Sequence, residues 1–281
     1  MIAVTGASGH LGKATLNYLV AKTDANSLVA IVRDPAKATD LSDKGIQVRT
    51  GDYTDPASLA ASLAGVDTLL LISSSVVGEE RVRQHTNAVN AAKEAGVKHI
   101  VYTSATSPSA NALFPAAIDH FHTENLLKES GLTYTIFRNN LYLDVLPMII
   151  GDAAQSGQLP FPGGDGKVSY ALREDIAEGL ANALTSEGHE NQIYEIGATS
   201  AWSFADIAAI LGQKSGKTVD YLDIPASAYE AELAKHLPAP VVSLYTGMAE
   251  AIKQNDFNRP DSALEKLLGR QPVNLEDFLK S

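Results

Sequence analysis

Short, nearly continuous β-branched runs alternate with amphipathic stretches through the first half of the chain. A glycine-rich turn follows the first run, and the texture changes near Gly151. Together these features predict an α/β fold: a doubly wound parallel sheet of the Rossmann type with a smaller α/β C-terminal lobe. The expected organisation is 1–150 for the sheet domain, with 193–197 returning to it as a further strand, and 151–281 for the smaller lobe.

The elements follow in order. Ile2 to Val4 reads as a buried strand, and Lys13 to Val20 after the glycine turn has helical spacing. Strands are expected at Leu28 to Val32, Ile46 to Thr50, Thr68 to Ile72, His99 to Thr103 and Tyr134 to Phe137. Helices are expected at Pro56 to Ala64, Glu80 to Ala95 and Ile118 to Ser130. Right-handed crossovers between such strands give a doubly wound sheet. Ile193 to Ile196 reads as the returning strand. In the second lobe, Leu159 to Gly166 is a proline- and glycine-rich loop. Ala201 to Leu211 is a helix with Ser203 as its N-cap, Thr218 to Ile224 a strand, and the tail mostly helical.

Composition narrows the functional classes. With 45% apolar residues among 281, the chain can bury a sizeable core. The absence of cysteine excludes disulfides, thiolate catalysis and cysteine–metal sites. No apolar run reaches the roughly 20 residues of a membrane helix, and no basic region precedes an apolar stretch at the N-terminus. A cytoplasmic protein is expected. The net charge of -11 and the lack of any basic run argue against nucleic-acid and anionic-membrane partners.

The strand, glycine turn and helix at the N-terminus bring a helix N-terminus and bare backbone N–H groups toward a pyrophosphate. Gly6 allows the tight turn, Gly9 the approach of the phosphates, and Gly12 close packing of helix on strand; Ser8, His10 and Leu11 complete the loop. The spacing is GxxGxxG, not the commoner GxGxxG. The second strand ends in Val32-Arg33-Asp34. A guanidinium there suits the 2′-phosphate of NADP, whereas an acidic residue suits the ribose of NAD. Arg33, with Lys37 in the next turn, points to NADPH; an ordinary surface arginine is the alternative. Asp52 and Tyr53 are placed to meet the adenine. Ile72, Ser73 and Ser74 let the backbone pass near ribose, and Thr103 and Ser104 end the fifth strand at the ligand edge. Asp55, not Asp52, is the better cap for the helix at Pro56.

These pieces, in this order, resemble the NmrA-like group of atypical short-chain dehydrogenase/reductases. The residues that carry the likeness are Ile2-Ala-Val-Thr-Gly-Ala7, Ala30-Ile-Val-Arg33, Gly51-Asp-Tyr53, Ala95-Gly-Val-Lys-His99, Arg138-Asn139 with Leu141-Tyr142, and Glu187-Gly-His-Glu-Asn191. Trp202-Ser-Phe204 and Ser215-Gly-Lys217 extend it into the second lobe. The resemblance implies an NADPH-binding reductase or sensor whose substrate lies between the sheet's carboxyl edge and the smaller lobe. Where the wider superfamily carries its catalytic Y-x-x-x-K, this chain has Ala116 and His120. The usual proton donor to a carbonyl is therefore missing, which turns attention to acceptors that tolerate charge: quinones and cationic dyes.

His120 is the candidate catalytic group near the nicotinamide, bonding to ribose or acting as a weak acid; a packing histidine is the alternative. Arg138 and Asn139 either fix the nicotinamide amide or, for Arg138, pair with a buried carboxylate. Asn140, Tyr142, Phe161 and Tyr170 are candidates for the substrate wall, although isolated aromatics such as Phe161, Tyr170 and Trp202 commonly serve a core. His189 and Glu190 form a turn, not a metal pair. The expected activity is NADPH-dependent hydride transfer to quinones or similar conjugated electrophiles, with a non-catalytic NADP-binding redox sensor as the alternative and a homo-oligomer possible.

Overall fold

The computed structural model describes residues 1–280. Seven strands form the main sheet: β1 (Ile2–Val4), β2 (Leu28–Val32), β3 (Gln47–Thr50), β4 (Thr68–Leu71), β5 (His99–Ala105), β6 (Thr133–Asn139) and β7 (Gln192–Ile196). Their order is β3-β2-β1-β4-β5-β6-β7 and every pairing is parallel. Chain order reverses between β1 and β4, so the loops after these two strands part to opposite sides and leave a crevice at the carboxyl edge.

Seven principal helices are α1 (His10–Val20), α2 (Pro56–Ser62), α3 (Glu79–Glu94), α4 (Pro115–Glu129), α5 (Arg173–Leu184), α6 (Phe204–Ser215) and α7 (Ala239–Lys253). Both sheet faces are covered, which is why the strands read as continuous apolar runs. Alternate residues serve opposite layers. Ala3, Val29, Ile31, Leu69 and Leu71 pack with Leu59, Val89 and Leu127 on one side. Val4, Leu28, Ala30 and Leu70 pack with Leu16, Leu19, Ile176, Leu180 and Leu264 on the other.

A third apolar cluster gathers Leu159, Phe161, Tyr170, Phe204, Ile207, Met248 and Ile252 away from the sheet. Phe161 and Phe204 stack there with centroids 3.9 Å apart. Ser203 caps α6 by accepting from the Asp206 N–H, while the Asp206 carboxylate accepts from the Ser203 N–H. Residues beyond 150 thus divide between two cores: α5, β7 and the helix Ala263–Leu268 join the sheet layer, and the remainder builds the third cluster. The expected strand at Thr218 to Ile224 is shorter, Asp220–Leu222, and pairs in parallel with Gln158–Pro160 out of the proline-rich loop.

Among the described residues no helix is long and apolar enough to cross a membrane. Nor are three or more His, Asp or Glu side chains grouped to hold a metal ion.

Candidate functional site

The crevice is a cleft of about 530 Å³ whose walls are the β1–α1 turn, the ends of β2 and β3, and the loop after β4. Gly6 turns the chain with φ +59°, and the Gly9 N–H closes the turn on the Gly6 carbonyl at 2.9 Å. A Cβ on Gly12 would lie 2.5 Å from the Gly6 carbonyl oxygen and 2.9 Å from Ala7 Cα. The third glycine therefore lets α1 sit against the turn itself, where the sequence suggested the strand. Helix α1 starts at Gly9 with no side-chain cap and no acidic residue in its first turn. Its leading N–H groups and positive dipole end are left for an anion.

Arg33 and Asp34 separate in space. Arg33 is exposed and lines the cleft, and among the described residues no carboxylate lies within ion-pairing distance of it. Asp34 turns away to cap the short helical turn Pro35–Ala38, accepting from the Ala36 N–H at 3.0 Å. Lys37 lies exposed on that turn, outside the cleft lining.

The far wall is fixed by local bonds. Asp52 accepts from the Thr54 N–H and hydroxyl, both at 2.8 Å, and the former holds its carboxyl below the usual range. The Tyr53 hydroxyl donates to the Ile72 carbonyl at 2.5 Å, and burial pushes its pKa well up. Asp55 caps α2 through the Ala57 and Ser58 N–H groups. Thr5 binds β4 at two points, donating to the Leu70 carbonyl and accepting from the Ile72 N–H. Gly51 also proves necessary: a Cβ there would lie 2.6 Å from Ile31 Cγ2.

Gly6, Ser8, Gly9, Arg33, Asp52, Tyr53, Ile72, Ser73 and Ser74 thus share one cleft. His10 faces an adjoining hollow of about 580 Å³, bounded also by Ser8, Gly9, Lys13 and Arg173. Leu11 and Gly12 form the α1 base behind the turn and are buried. Thr103 Oγ1 accepts from the Ser73 N–H at 2.9 Å, so it supports the wall from beneath.

The remaining candidates lie elsewhere. Ser104 donates to Glu124 Oε1 at 2.9 Å, and Arg138 grips both Glu124 oxygens at 2.9 and 2.8 Å while reaching Glu195 at 3.0 Å. Burial pushes the Glu124 carboxyl up, but the Arg138 bonds outweigh it and the net direction is down. Of the two alternatives for Arg138, the structure has the buried carboxylate pair. Asn139 donates to the Tyr142 hydroxyl at 3.3 Å, and its Oδ1 is buried without a partner; so is Ser74 Oγ. Asn140 spends both ends of its amide on backbone, donating to the Phe257 carbonyl and accepting from the Leu141 N–H. Tyr142 lies 5.6 Å from the Arg173 guanidinium. Phe161 and Tyr170 are packed in the third core, not along a wall, and Trp202 abuts the same cluster.

His120 is only 5% exposed, with Nδ1 2.6 Å from the Tyr102 hydroxyl and Nε2 3.5 Å from Arg81 Nη1. Burial, aided by the Arg81 charge and His85, holds it well below the ordinary imidazole range, so it is neutral. It does not reach the cleft lining. Arg81, His85 and Asp119 around it went unread in the sequence. Their signal is the spacing of Arg81, His85, Ala88 and Ala92, which puts two polar residues on the buried stripe of α3.

A parallel sheet with this order, a glycine turn at its switch point and a cleft bounded by both defines the Rossmann-type class of α/β proteins. The NmrA-like family model matches residues 1–279, and the chain belongs to that family. It is 39% identical to quinone oxidoreductase 2 of Escherichia coli strain K12, over 99% of this chain and 96% of the relative. It is 34% identical to the NAD(P)H azoreductase of Xenophilus azovorans, covering 100% of this chain and 97% of that one. The E. coli NADPH-dependent quinone oxidoreductase QOR2, crystallised with NADPH, superposes with a TM-score of 0.94 at 38% identity, covering 99% and 98% of the two chains. The Citrobacter sp. triphenylmethane reductase complexed with NADP(H) gives a TM-score of 0.92 at 34% identity, covering 100% and 99%.

Proposed function

We propose that the protein is an NADPH-dependent reductase that transfers hydride to quinones and related conjugated acceptors, including cationic dyes. The observation that carries the cofactor assignment is the divergence of Arg33 and Asp34. The guanidinium stands unpaired at the cleft while the neighbouring carboxylate is consumed by a helix cap. An unpaired arginine at this strand end suits a 2′-phosphate.

The cleft fits such a dinucleotide in other respects. Gly6 and Gly9 let the backbone of the turn approach a diphosphate, Gly12 lets α1 pack on that turn, and α1 directs its uncapped end there. Asp52 and Tyr53 stand at the adenine end, and Ser73 and Ser74 border the path between, with Ser74 Oγ still unbonded. Asn139, outside the cleft lining, keeps a buried carbonyl oxygen free. When bound, the reduced nicotinamide supplies the hydride.

The chain's part is alignment and exclusion of water. Ala116 occupies the place where the wider superfamily has its acid, and His120 is neutral and tied to Tyr102. An acceptor must therefore take hydride without a protein proton. A quinone does so by spreading charge over its ring, and a cationic dye does so by becoming neutral. Two of the relatives fit this selection, one named for quinones and one for triphenylmethane dyes.

The test follows NADPH absorbance with a panel of quinones, cationic dyes and simple ketones. Turnover on the first two and none on ketones is expected. Equal turnover of ketones would refute the acceptor argument, and tight binding of NADPH with no turnover on any acceptor would replace the reductase with a sensor.

A further inference from the structure

The loop 73–78 after β4 is a thin partition. Ser73, Ser74 and Val76 face the dinucleotide cleft, while Val77 and Gly78 face a separate hollow of about 500 Å³ bounded by Pro115, Ile118 and Pro240. It has no regular secondary structure. With space on both sides, packing alone does not fix its position.

Thr103 holds Ser73 at the start of the loop, and three further buried side chains hold the backbone beyond it. The Ser74 N–H donates to His85 Nε2 at 3.0 Å, Arg81 Nε donates to the Val76 carbonyl at 2.5 Å, and the Gly78 N–H donates to Asp119 Oδ2 at 2.7 Å. His85, Arg81 and Asp119 are respectively 0%, 7% and 4% exposed. They are also linked to each other. A backbone N–H can only donate, so His85 Nε2 is the bare nitrogen and Nδ1 carries the proton toward Thr123 Oγ1 at 2.9 Å. Thr123 passes its own proton to the Asp119 carbonyl at 3.0 Å, and Arg81 Nη1 lies 3.6 Å from Asp119 Oδ2. Burying an arginine, a carboxylate and a histidine costs several kcal/mol of hydration that apolar residues would not forfeit. Here the return is a specified loop.

We infer that Arg81, His85 and Asp119 are positioning residues: three clasps that set the backbone of residues 73–78 and thereby the shape of the NADPH site. The inference rests on the cofactor reading above. None of the three is itself part of the cleft lining; they reach it only through the backbone they hold.

The experiment uses the full chain, first without cofactor. Amide hydrogen exchange over 73–78 is measured for the wild type, His85→Phe, His85→Gln and Asp119→Ala, followed by fluorescence titration with NADPH. His85→Phe should speed exchange at Ser74 and raise the NADPH Kd about three- to tenfold, the scale of one lost buried hydrogen bond. His85→Gln restores an acceptor and should bring both values back toward wild type. Asp119→Ala should loosen Gly78 in the same way, and it tests the loop independently should His85→Phe fail to fold. Folded variants with wild-type exchange and wild-type Kd would overturn the clasps. A wild-type chain that does not bind NADPH would instead overturn the cofactor reading, while the exchange data would still decide whether the clasps hold the loop.

Discussion

Arg138→Met separates a structural role from a cofactor role at a residue that sequence alone leaves open. Glu124 has a side chain only 2% exposed, and Arg138 binds both of its oxygens within 2.9 Å. Ser104 contributes one more bond, and Lys128 lies 3.3 Å away. Deleting the guanidinium strands a buried carboxylate, which costs about 3–5 kcal/mol. Glu195, 30% exposed at its side chain, is rehydrated and adds little. For a chain of this size each kcal/mol lowers Tm by about 2–4 °C, so a drop on the order of 10 °C is expected. The double variant Glu124→Gln/Arg138→Met removes the stranded charge and should recover at least half of the loss. Denaturant unfolding and NADPH titration are run on the same samples. A stability change under about 1 kcal/mol, with NADPH affinity down tenfold or more, would refute the structural assignment.

Arg33→Asp should weaken NADPH binding by about 1–3 kcal/mol and spare NADH, as read by calorimetry with both cofactors; equal loss for both would remove the 2′-phosphate argument. Gly12→Ala forces a Cβ to within 2.5 Å of the Gly6 carbonyl oxygen, so α1 must shift. Thermal unfolding should report about 1–3 kcal/mol of destabilisation, and the NADPH Kd should rise with it. Acidification should destabilise the fold through His85, whose value burial and then the Arg81 charge lower from 6.5 to about 3. The unfolded chain takes up that proton below pH 6.5 and the folded chain does not, so stability is complete above 6.5 and declines as pH falls toward 3. From pH 7 to pH 5 His85 contributes about 2 kcal/mol of loss, and neutral, buried His120 acts in the same direction. Urea unfolding at the two pH values checks this, and His85→Gln should flatten the dependence by that amount; an unchanged slope would contradict a neutral His85.

Much of the fold was legible because a doubly covered sheet leaves a plain mark. Leu28–Val32 has all five residues buried and reads as a strand from composition alone. The ends of β5 and β6 were less so. Ser104, Arg138 and Asn139 look like loop residues, yet they extend the strand ladder, and the Ser104 and Arg138 side chains end on Glu124 of α4, a buried glutamate with no distinguishing letter. The cleft at the switch point was readable where glycine spacing and strand order combine. Asp34 carries the same aspartate-before-proline signature that marks Asp55 as a cap, a signal not used in reading the sequence. Phe161 and Tyr170 illustrate the opposite limit: an aromatic letter carries no information about which core, if any, absorbs it.

Strand β1 lies in the interior of the sheet, hydrogen-bonded to Leu28–Val32 on one side and Thr68–Leu71 on the other. The apolar face of α1 is then closed over by Ile176 and Leu180 of α5, from the second half of the chain, and Leu264 backs that helix in turn. A growing polypeptide leaving the ribosome must therefore keep this face of α1 uncovered until the helix Arg173–Leu184 has been made. Cutting the gene near codon 150 would leave that greasy face permanently bare, and a fragment of this kind should be found in inclusion bodies.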